Sequence, residues 1–379
     1  MSYPFDKILF SPQDIDTSKL PIALSTGKET FVLGAFNPGF CRLPNGNTLM
    51  MVRVAEALQH PRSSDQVGVL RFDPEANTFL IDHYLASDID FSDPRKYKFR
   101  NVEQVYALTS LSWLLPVELN PQATSIVKIH YDKMILPEHK CQEYGLEDAR
   151  ISRIDSTYYM TACAVGSDRH SSVLYQSEDG LNYAYLGMIL DHQNKDMVIF
   201  PEKIHGKYHA LTRPLGELYF VDPNPHNHPG PGVNISASPD MLHWRPLETV
   251  LLKPSVNKYL SRKVGGGAPP IRMDQGWLIL YHGVSDDGLA GIYRTFWMIL
   301  DLDDPQVIIH NNVSTPLLEA NPALTRTCQD SIYLSDIVFT TGVIDAEDHY
   351  IIASGELDLC CRITHIPHSV IHGEKAAVK

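Results

Sequence analysis

Short apolar runs rich in Val, Ile, Tyr and Phe alternate with polar turns along the chain, punctuated by 26 prolines and 23 glycines. Helical periodicity is hard to find, and residues 102–119 form the one apolar stretch whose period is ambiguous. Brief apolar runs bounded by Pro, Gly, Asn and Asp predict strands joined in hairpins, and a chain made of little else is all-β.

The hairpins repeat. Residues 37–43 turn at Pro44-Asn-Gly-Asn47 into 48–54, and residues 148–154 turn at Asp155-Ser156 into 158–163. A third pair joins 200–204 to 207–213 through His205-Gly206, a fourth joins 268–272 to 277–282, and a fifth joins 336–344 to 350–354. Between them Ser177-Glu-Asp-Gly-Leu-Asn-Tyr183 and Ser238-Pro-Asp-Met-Leu-His-Trp244 share an S-x-D turn with an aromatic residue four positions on. In such a turn Asp hydrogen-bonds its own backbone while the ring packs beneath it. Five unequal β repeats predict a five-bladed β-propeller. At roughly 75 residues per blade, it must carry insertions, expected at 86–140 and 214–232. His226 and His228 in the second insertion read either as metal ligands or as part of a solvated loop. No low-complexity linker interrupts the chain, so residues 1–379 are expected to form one domain, with extensions of about 30 residues at the N-terminus and about 12 at the C-terminus.

Superimposing the hairpins by their turns puts Asn37, Glu147 with Asp148, Glu202 and Asp336 at strand starts. Arg53, Cys163, Arg213, His282 and residues 355–358 fall at strand ends. If these are inner strands, both sets lie at one end of a central channel and converge on a pocket that mixes carboxylates with cations. Carboxylates suit glycosidic chemistry, in which a positioned acid protonates the leaving oxygen. Arginine and lysine suit an oxyanion, phosphate above all, and Lys195 leads into the third strand where it can join Arg213.

The formal net charge of -13 argues against a general nucleic-acid or anionic-membrane binder, without forbidding a locally basic pocket. The N-terminus lacks the basic and apolar regions of a secretory signal, and no apolar run approaches membrane-spanning length. The six cysteines show no framework spacing and read as reduced thiols, which fits a cytoplasmic protein. The 17 histidines form no zinc motif, so no metal and no cofactor is expected.

The densest chemistry is Tyr144-Gly-Leu-Glu-Asp-Ala-Arg-Ile151, where Glu147, Asp148 and Arg150 crowd the mouth of a hairpin. Alone it reads equally as a surface salt-bridge cluster. Taken with Asn37-Pro38, residues 194–203, Thr212-Arg-Pro214, Gly265-Gly-Gly-Ala-Pro-Pro-Ile271, residues 276–283 and Asp301-Leu-Asp-Asp-Pro305, it resembles glycoside hydrolase family 130, which contains β-mannoside phosphorylases and β-mannosidases. The resemblance covers roughly residues 30–365 in order and itself implies a five-bladed propeller. It matches Asp148 to the catalytic acid, whose proton is thought to reach the glycosidic oxygen through the mannose 3-hydroxyl. It places Arg53, Lys195, Arg213 and His282 at or near phosphate, and Asp358 on the non-reducing mannose. Asn37, Arg53, Glu147, Glu202 and His282 join Asp358 as expected substrate-binding residues, with Arg150 holding the acids in place. The chain departs from the family pattern at Ala149, where proline is usual in E-D-P-R, and at Glu356.

An inverting hydrolase needs a second carboxylate, roughly 6.5–9.5 Å from the first, to activate water. A phosphorylase replaces that base with phosphate and needs cations to hold it. The basic set therefore predicts phosphorolysis of a β-mannoside to α-mannose 1-phosphate, with inorganic phosphate as co-substrate. The alternatives are a β-mannosidase using Glu202 or Glu356 as base, a furanosidase built on Asp148, Glu202 and Asp358, and a non-catalytic carbohydrate-binding propeller. Linkage and acceptor are not legible, and a homo-oligomer stays open.

Overall fold

Strands dominate the computed structural model, which describes residues 3–190, 192–216 and 218–373. They assemble into five successive antiparallel sheets, so the chain is mostly β, as its patterning predicts. The first sheet holds Thr30–Arg42, Thr48–Leu58, Leu111–Leu119 and Ile126–Ile129. The second holds Leu146–Ile154, Thr157–Val165, His170–Ser177 and Ala184–Met188, and the third Asn194–Ile199, Tyr208–Pro214, Val233–Ser238 and Arg245–Leu252. In the fourth, Lys263–Gly266 and Ile271–Met273 both pair with Gly276–Ser285, which is followed by Ile292–Leu300 and Ile308–Asn312. The fifth runs Val338–Asp345, His349–Glu356 and Cys360–Pro367, and its fourth strand is Phe5–Phe10 from the other end of the chain.

The core lies between neighbouring sheets. Leu49 and Leu114 of the first meet Ile151 and Met160 of the second, and Leu174 of the second meets Ile199 of the third. Leu211 and Ile235 pack on Ile279 and Phe296, Leu278 and Trp297 on Val338 and Ile352, and Ile351 and Ile363 on Phe40 and Val52. The fifth sheet thus returns to the first. A strand sandwiched between two such layers is apolar on both faces, so it loses the alternation by which a half-exposed strand is recognised. Leu111–Leu119, buried at every position, is such a strand, which explains the ambiguous period of residues 102–119.

The excursion from the first sheet accordingly spans 59–110 rather than 86–140. It carries the hairpin Gln66–Asp73/Thr78–Leu85 and a small sheet of Ile89–Asp93, Lys96–Phe99 and Tyr106–Leu108. The described residues of 215–232 form a loop between the second and third strands of the third sheet, and His226 is exposed within it. The two S-x-D turns behave alike. Ser177 Oγ accepts from Gly180 N at 2.9 Å and Asp179 Oδ1 from Leu181 N at 2.8 Å, while Ser238 Oγ accepts from Met241 N at 2.9 Å and Asp240 Oδ1 from His243 N at 2.8 Å. Tyr183 and Trp244 pack against the layers beneath.

The N-terminal stretch expected as an extension contains Phe5–Phe10, which registers Phe5 against His365 and Ile8 against Arg362. A buried ion-pair network fastens it. Arg362 Nε and Nη2 donate to the two Asp6 carboxylate oxygens at 2.7 and 2.9 Å, and Nη1 donates to Glu356 Oε2 at 3.0 Å. Among the described residues no helix is long and apolar enough to cross a membrane.

Candidate active site

Three of the sheets open on a strand broken by the same irregularity. Register slips between Phe36 and Gly39, between Glu147 and Arg150, and between Lys195 and Val198. At each slip one residue adopts the left-handed conformation: Asn37 at φ 47°, Asp148 at 52° and Asp196 at 55°. Asn and Asp tolerate that region better than other side-chain-bearing residues because their short polar groups bond locally. A bulge re-aims side chains that would otherwise alternate between faces. Here Phe36 with Asn37, Glu147 with Asp148, and Lys195 with Asp196 all line one cavity of about 280 Å³.

The second strands bring Arg53 opposite Phe36 and Arg213 opposite Lys195. Arg53 Nη1 donates to Asp148 Oδ1 at 2.9 Å, Nη2 to Glu147 Oε1 at 2.8 Å and Nε to Ser112 Oγ at 3.0 Å, while its guanidinium lies over Phe36. Asn37 Nδ2 also donates to Asp148 Oδ1 at 2.9 Å, and Lys195 Nζ to Glu147 Oε2 at 2.9 Å. Arg150 is buried beneath, its Nη1 donating to the Asp148 carbonyl at 2.6 Å and its Nε to the Gly267 carbonyl at 2.6 Å. It holds the backbone of the bulge and does not line the cavity.

Burial alone would raise the Glu147 carboxyl, but Arg53 and Lys195 outweigh it and hold it well below the usual range. Asp196 is likewise raised by burial and lowered further by Arg213, whose Nε lies 2.6 Å from Asp196 Oδ2, and by Arg150, so it sits at about 2. Asp358 goes the other way. It stands in the turn between His349–Glu356 and Cys360–Pro367, and burial pushes it to about 6 against the pull of Arg53, with Asp148 adding to the rise. Lys195 and then burial lower His170 to about 4, so this imidazole is neutral at pH 7.

Asn37, Arg53, Glu147, Asp148, Lys195, Arg213 and Asp358 therefore converge as expected from the sequence. Two residues do not. Glu202 is outside the cavity, exposed and paired with Arg272 Nη1 at 2.5 Å. The inner strand of the third sheet is Asn194–Ile199, so Glu202 falls beyond its far end, and Asp196 occupies the place expected for it. His282 is 1% exposed and lies behind Asp196, its Nε2 3.5 Å from Oδ2. Burial lowers it to about 3, leaving a neutral ring packed behind Asp196 that does not line the cavity. Glu356 also points away, buried on Arg362. The furanosidase reading, which needed Glu202, loses one of its three carboxylates.

The cavity holds residues that sequence reasoning missed. Arg95, Lys96 and Tyr106 come from the 59–110 excursion, which no repeat comparison reaches, and Lys263, Tyr293 and Tyr333 come from the fourth sheet and the segment after it. Asp196 had a signal: it follows Lys195 as Asp148 follows Glu147.

Comparison with known proteins identifies the family. The family model described as beta-1,4-mannooligosaccharide phosphorylase, of glycoside hydrolase family 130, matches residues 106–372. A beta-1,2-mannobiose phosphorylase of Listeria innocua is 32% identical over 354 residues, covering 89% of this chain and 92% of its own. A 1,2-beta-oligomannan phosphorylase of Thermoanaerobacter sp. is 33% identical over 231 residues, covering 60% of this chain and 70% of its own. The solved structure of a beta-1,2-mannobiose phosphorylase from Listeria innocua in complex with beta-1,2-mannobiose superposes with a TM-score of 0.80 at 29% identity, covering 97% of each chain. With the matched model spanning well over half its length, the chain belongs to glycoside hydrolase family 130.

Proposed function

We propose that the protein is an inverting β-mannoside phosphorylase, and that its five sheets are the blades of a propeller with the cavity at one end of the channel. The reading rests on one observation, the charge of the cavity wall. In a chain of formal charge -13, the cavity lining sets Arg53, Arg95, Lys96, Lys195, Arg213 and Lys263 against Glu147, Asp148, Asp196 and Asp358, with Asp93 pairing Arg95 from behind at 3.0 Å. That surplus suits a phosphate dianion and has no use in a site that activates water. The two carboxylates considered as hydrolytic bases, Glu202 and Glu356, are both occupied by arginines elsewhere, which further favours phosphorolysis.

In this reading phosphate, held by Arg53, Lys195 and Arg213, attacks the anomeric carbon of the non-reducing mannose from the face opposite the leaving group. The carbon–oxygen bond to the acceptor breaks as the phosphate–carbon bond forms, and the acceptor oxygen receives the proton supplied by Asp148 through the mannose 3-hydroxyl. The products are α-mannose 1-phosphate and the shortened acceptor, and Asp148 is reprotonated from solvent. Asp358 and Asn37 hold the mannose. The names of the relatives make β-1,2-mannobiose the first substrate to assign, and a cytoplasmic enzyme would retain the phosphorylated product.

Incubation of β-1,2- and β-1,4-mannobiose with and without phosphate tests the reading. Mannose 1-phosphate should form only with phosphate; release of free mannose at an undiminished rate without it would sink phosphorolysis. Asp148→Asn should lower kcat on the order of 10²–10⁴-fold, and an active variant would remove Asp148 from the acid role.

A further inference from the structure

Lys263, on the edge strand Lys263–Gly266, is the one lysine of the cavity wall drawn from the fourth sheet. It is partly buried, its Nζ lies 4.9 Å from the centre of the Tyr293 ring, and among the described residues its ammonium has no hydrogen bond and no carboxylate partner. The charged groups facing it are already committed or repulsive. From the third sheet, Asp196 is held by Arg213 at 2.6 Å and Arg150 at 3.6 Å. Lys195 is taken by Glu147, and Arg213 is itself a cation. On its own strand's approach, Arg262 points to Asp286 at 3.9 Å, and the phenol of Tyr293 is raised to about 12 and so uncharged at neutral pH. A largely desolvated ammonium without a counter-ion is costly, and its presence in a ligand cavity calls for an anion supplied by the ligand.

Burial, then Arg213, lowers Lys263 to about 7. The amine is therefore near half-protonation in the empty cavity. Two negative charges brought beside it restore the charged form, because an opposite charge within hydrogen-bonding reach favours ionisation.

We propose that Lys263 is a direct ligand of the phosphate and takes up a proton from solvent as the anion binds. This rests on the phosphorolysis reading and adds to it a coupling between phosphate affinity and pH.

The test is isothermal titration of the whole protein with inorganic phosphate at about pH 8, where the anion is already mostly dianionic and the free amine mostly neutral. Two buffers of different protonation enthalpy report the protons exchanged. Wild type should take up close to one proton per phosphate bound. Lys263→Arg should bind phosphate without proton uptake, since guanidinium stays charged throughout. Lys263→Met should abolish uptake and raise the phosphate KM on the order of 10–100-fold with little change in the mannoside KM. Should the Met variant not fold, the Arg variant decides alone. Proton uptake unchanged in Lys263→Arg, or a phosphate KM unchanged in a folded Lys263→Met, overturns the assignment. Arg213→Ala separates the two levels: if it weakens phosphate while the Lys263 variants do not, only the role of Lys263 falls. If wild type neither binds phosphate nor needs it for cleavage, both fall.

Discussion

Replacing Asp358 by Asn should remove the acid limb of the pH profile and leave a more stable protein. Burial places this carboxyl at about 6, within the range of an ordinary assay. Roughly nine-tenths of it is ionised at pH 7 and roughly a tenth at pH 5, about a tenfold loss of the form that accepts the strongest hydrogen bonds from sugar hydroxyls. The mannoside KM of wild type should therefore rise about tenfold between pH 7 and pH 5 at saturating phosphate. Asp358→Asn should show a flat KM over that interval, with kcat/KM at pH 7 lower by about 10–150-fold, the worth of one charge-assisted hydrogen bond. Stability runs in the opposite sense. A carboxyl whose folded pKa lies above its ordinary value of 3.8 favours the folded state while protonated, and that contribution is lost as pH rises from about 4 through 6. At pH 7 wild type therefore carries an ionised, partly desolvated Asp358 at a cost of up to about 3 kcal/mol, less whatever solvent screening relieves. Asp358→Asn should melt higher than wild type at pH 7, and the difference should vanish near pH 4. Initial rates of mannose 1-phosphate release from pH 4.5 to 8, with thermal melts at both ends, measure both. An acid limb that survives in Asp358→Asn would refute the reasoning, as would a wild-type KM that does not change between pH 7 and pH 5.

Other consequences follow from the same geometry. Arg362→Ala leaves Glu356 buried without its cation and frees Asp6 on Phe5–Phe10; it should cost about 3–5 kcal/mol in urea unfolding, and a loss below about 1 kcal/mol would mean the network is solvated. Glu202→Gln removes only an exposed pair with Arg272, so phosphorolysis should be unchanged and stability altered by at most about 1 kcal/mol; a loss of activity would return Glu202 to the site. Gly265→Ala builds a Cβ into the His282 ring and 2.6 Å from the Asp196 carboxylate. It should displace Asp196 and with it Arg213, read as a rise in phosphate KM; unchanged kinetics would show that Asp196 does not position the arginine.

The hairpins were legible because turns speak loudly: Asn45-Gly46 and His205-Gly206 announce themselves whatever surrounds them. Aligning on those turns placed Asn37 and Asp148 correctly, since in the first two sheets the strand runs unbroken from bulge to turn. In the third it ends at Ile199, well before His205-Gly206, and the same alignment selected Glu202 where Asp196 stands. The polar residue at the bulge, Asn37, Asp148 or Asp196, was the better marker, but its meaning is a backbone conformation and not a composition. Arg95, Lys96 and Tyr106 were beyond such reasoning altogether: they belong to an excursion without a counterpart in the other sheets, and only the fold brings them over the cavity.

The pairing of Phe5–Phe10 with Cys360–Pro367 also bears on how the molecule is made. Translation delivers residues 5–10 long before their partners at 360–367, so the outer edge of the fifth sheet stays open while the intervening sheets are being synthesised. That late step joins segments 356 residues apart at Asp6 and Arg362, the kind of long-range contact that folds slowly. Until it forms, Cys360–Pro367 presents an unpaired edge, the part of a nascent β protein most prone to find a strand from another molecule. The ion pair of Asp6 with Arg362 gives the native strand an advantage over such competitors at that edge.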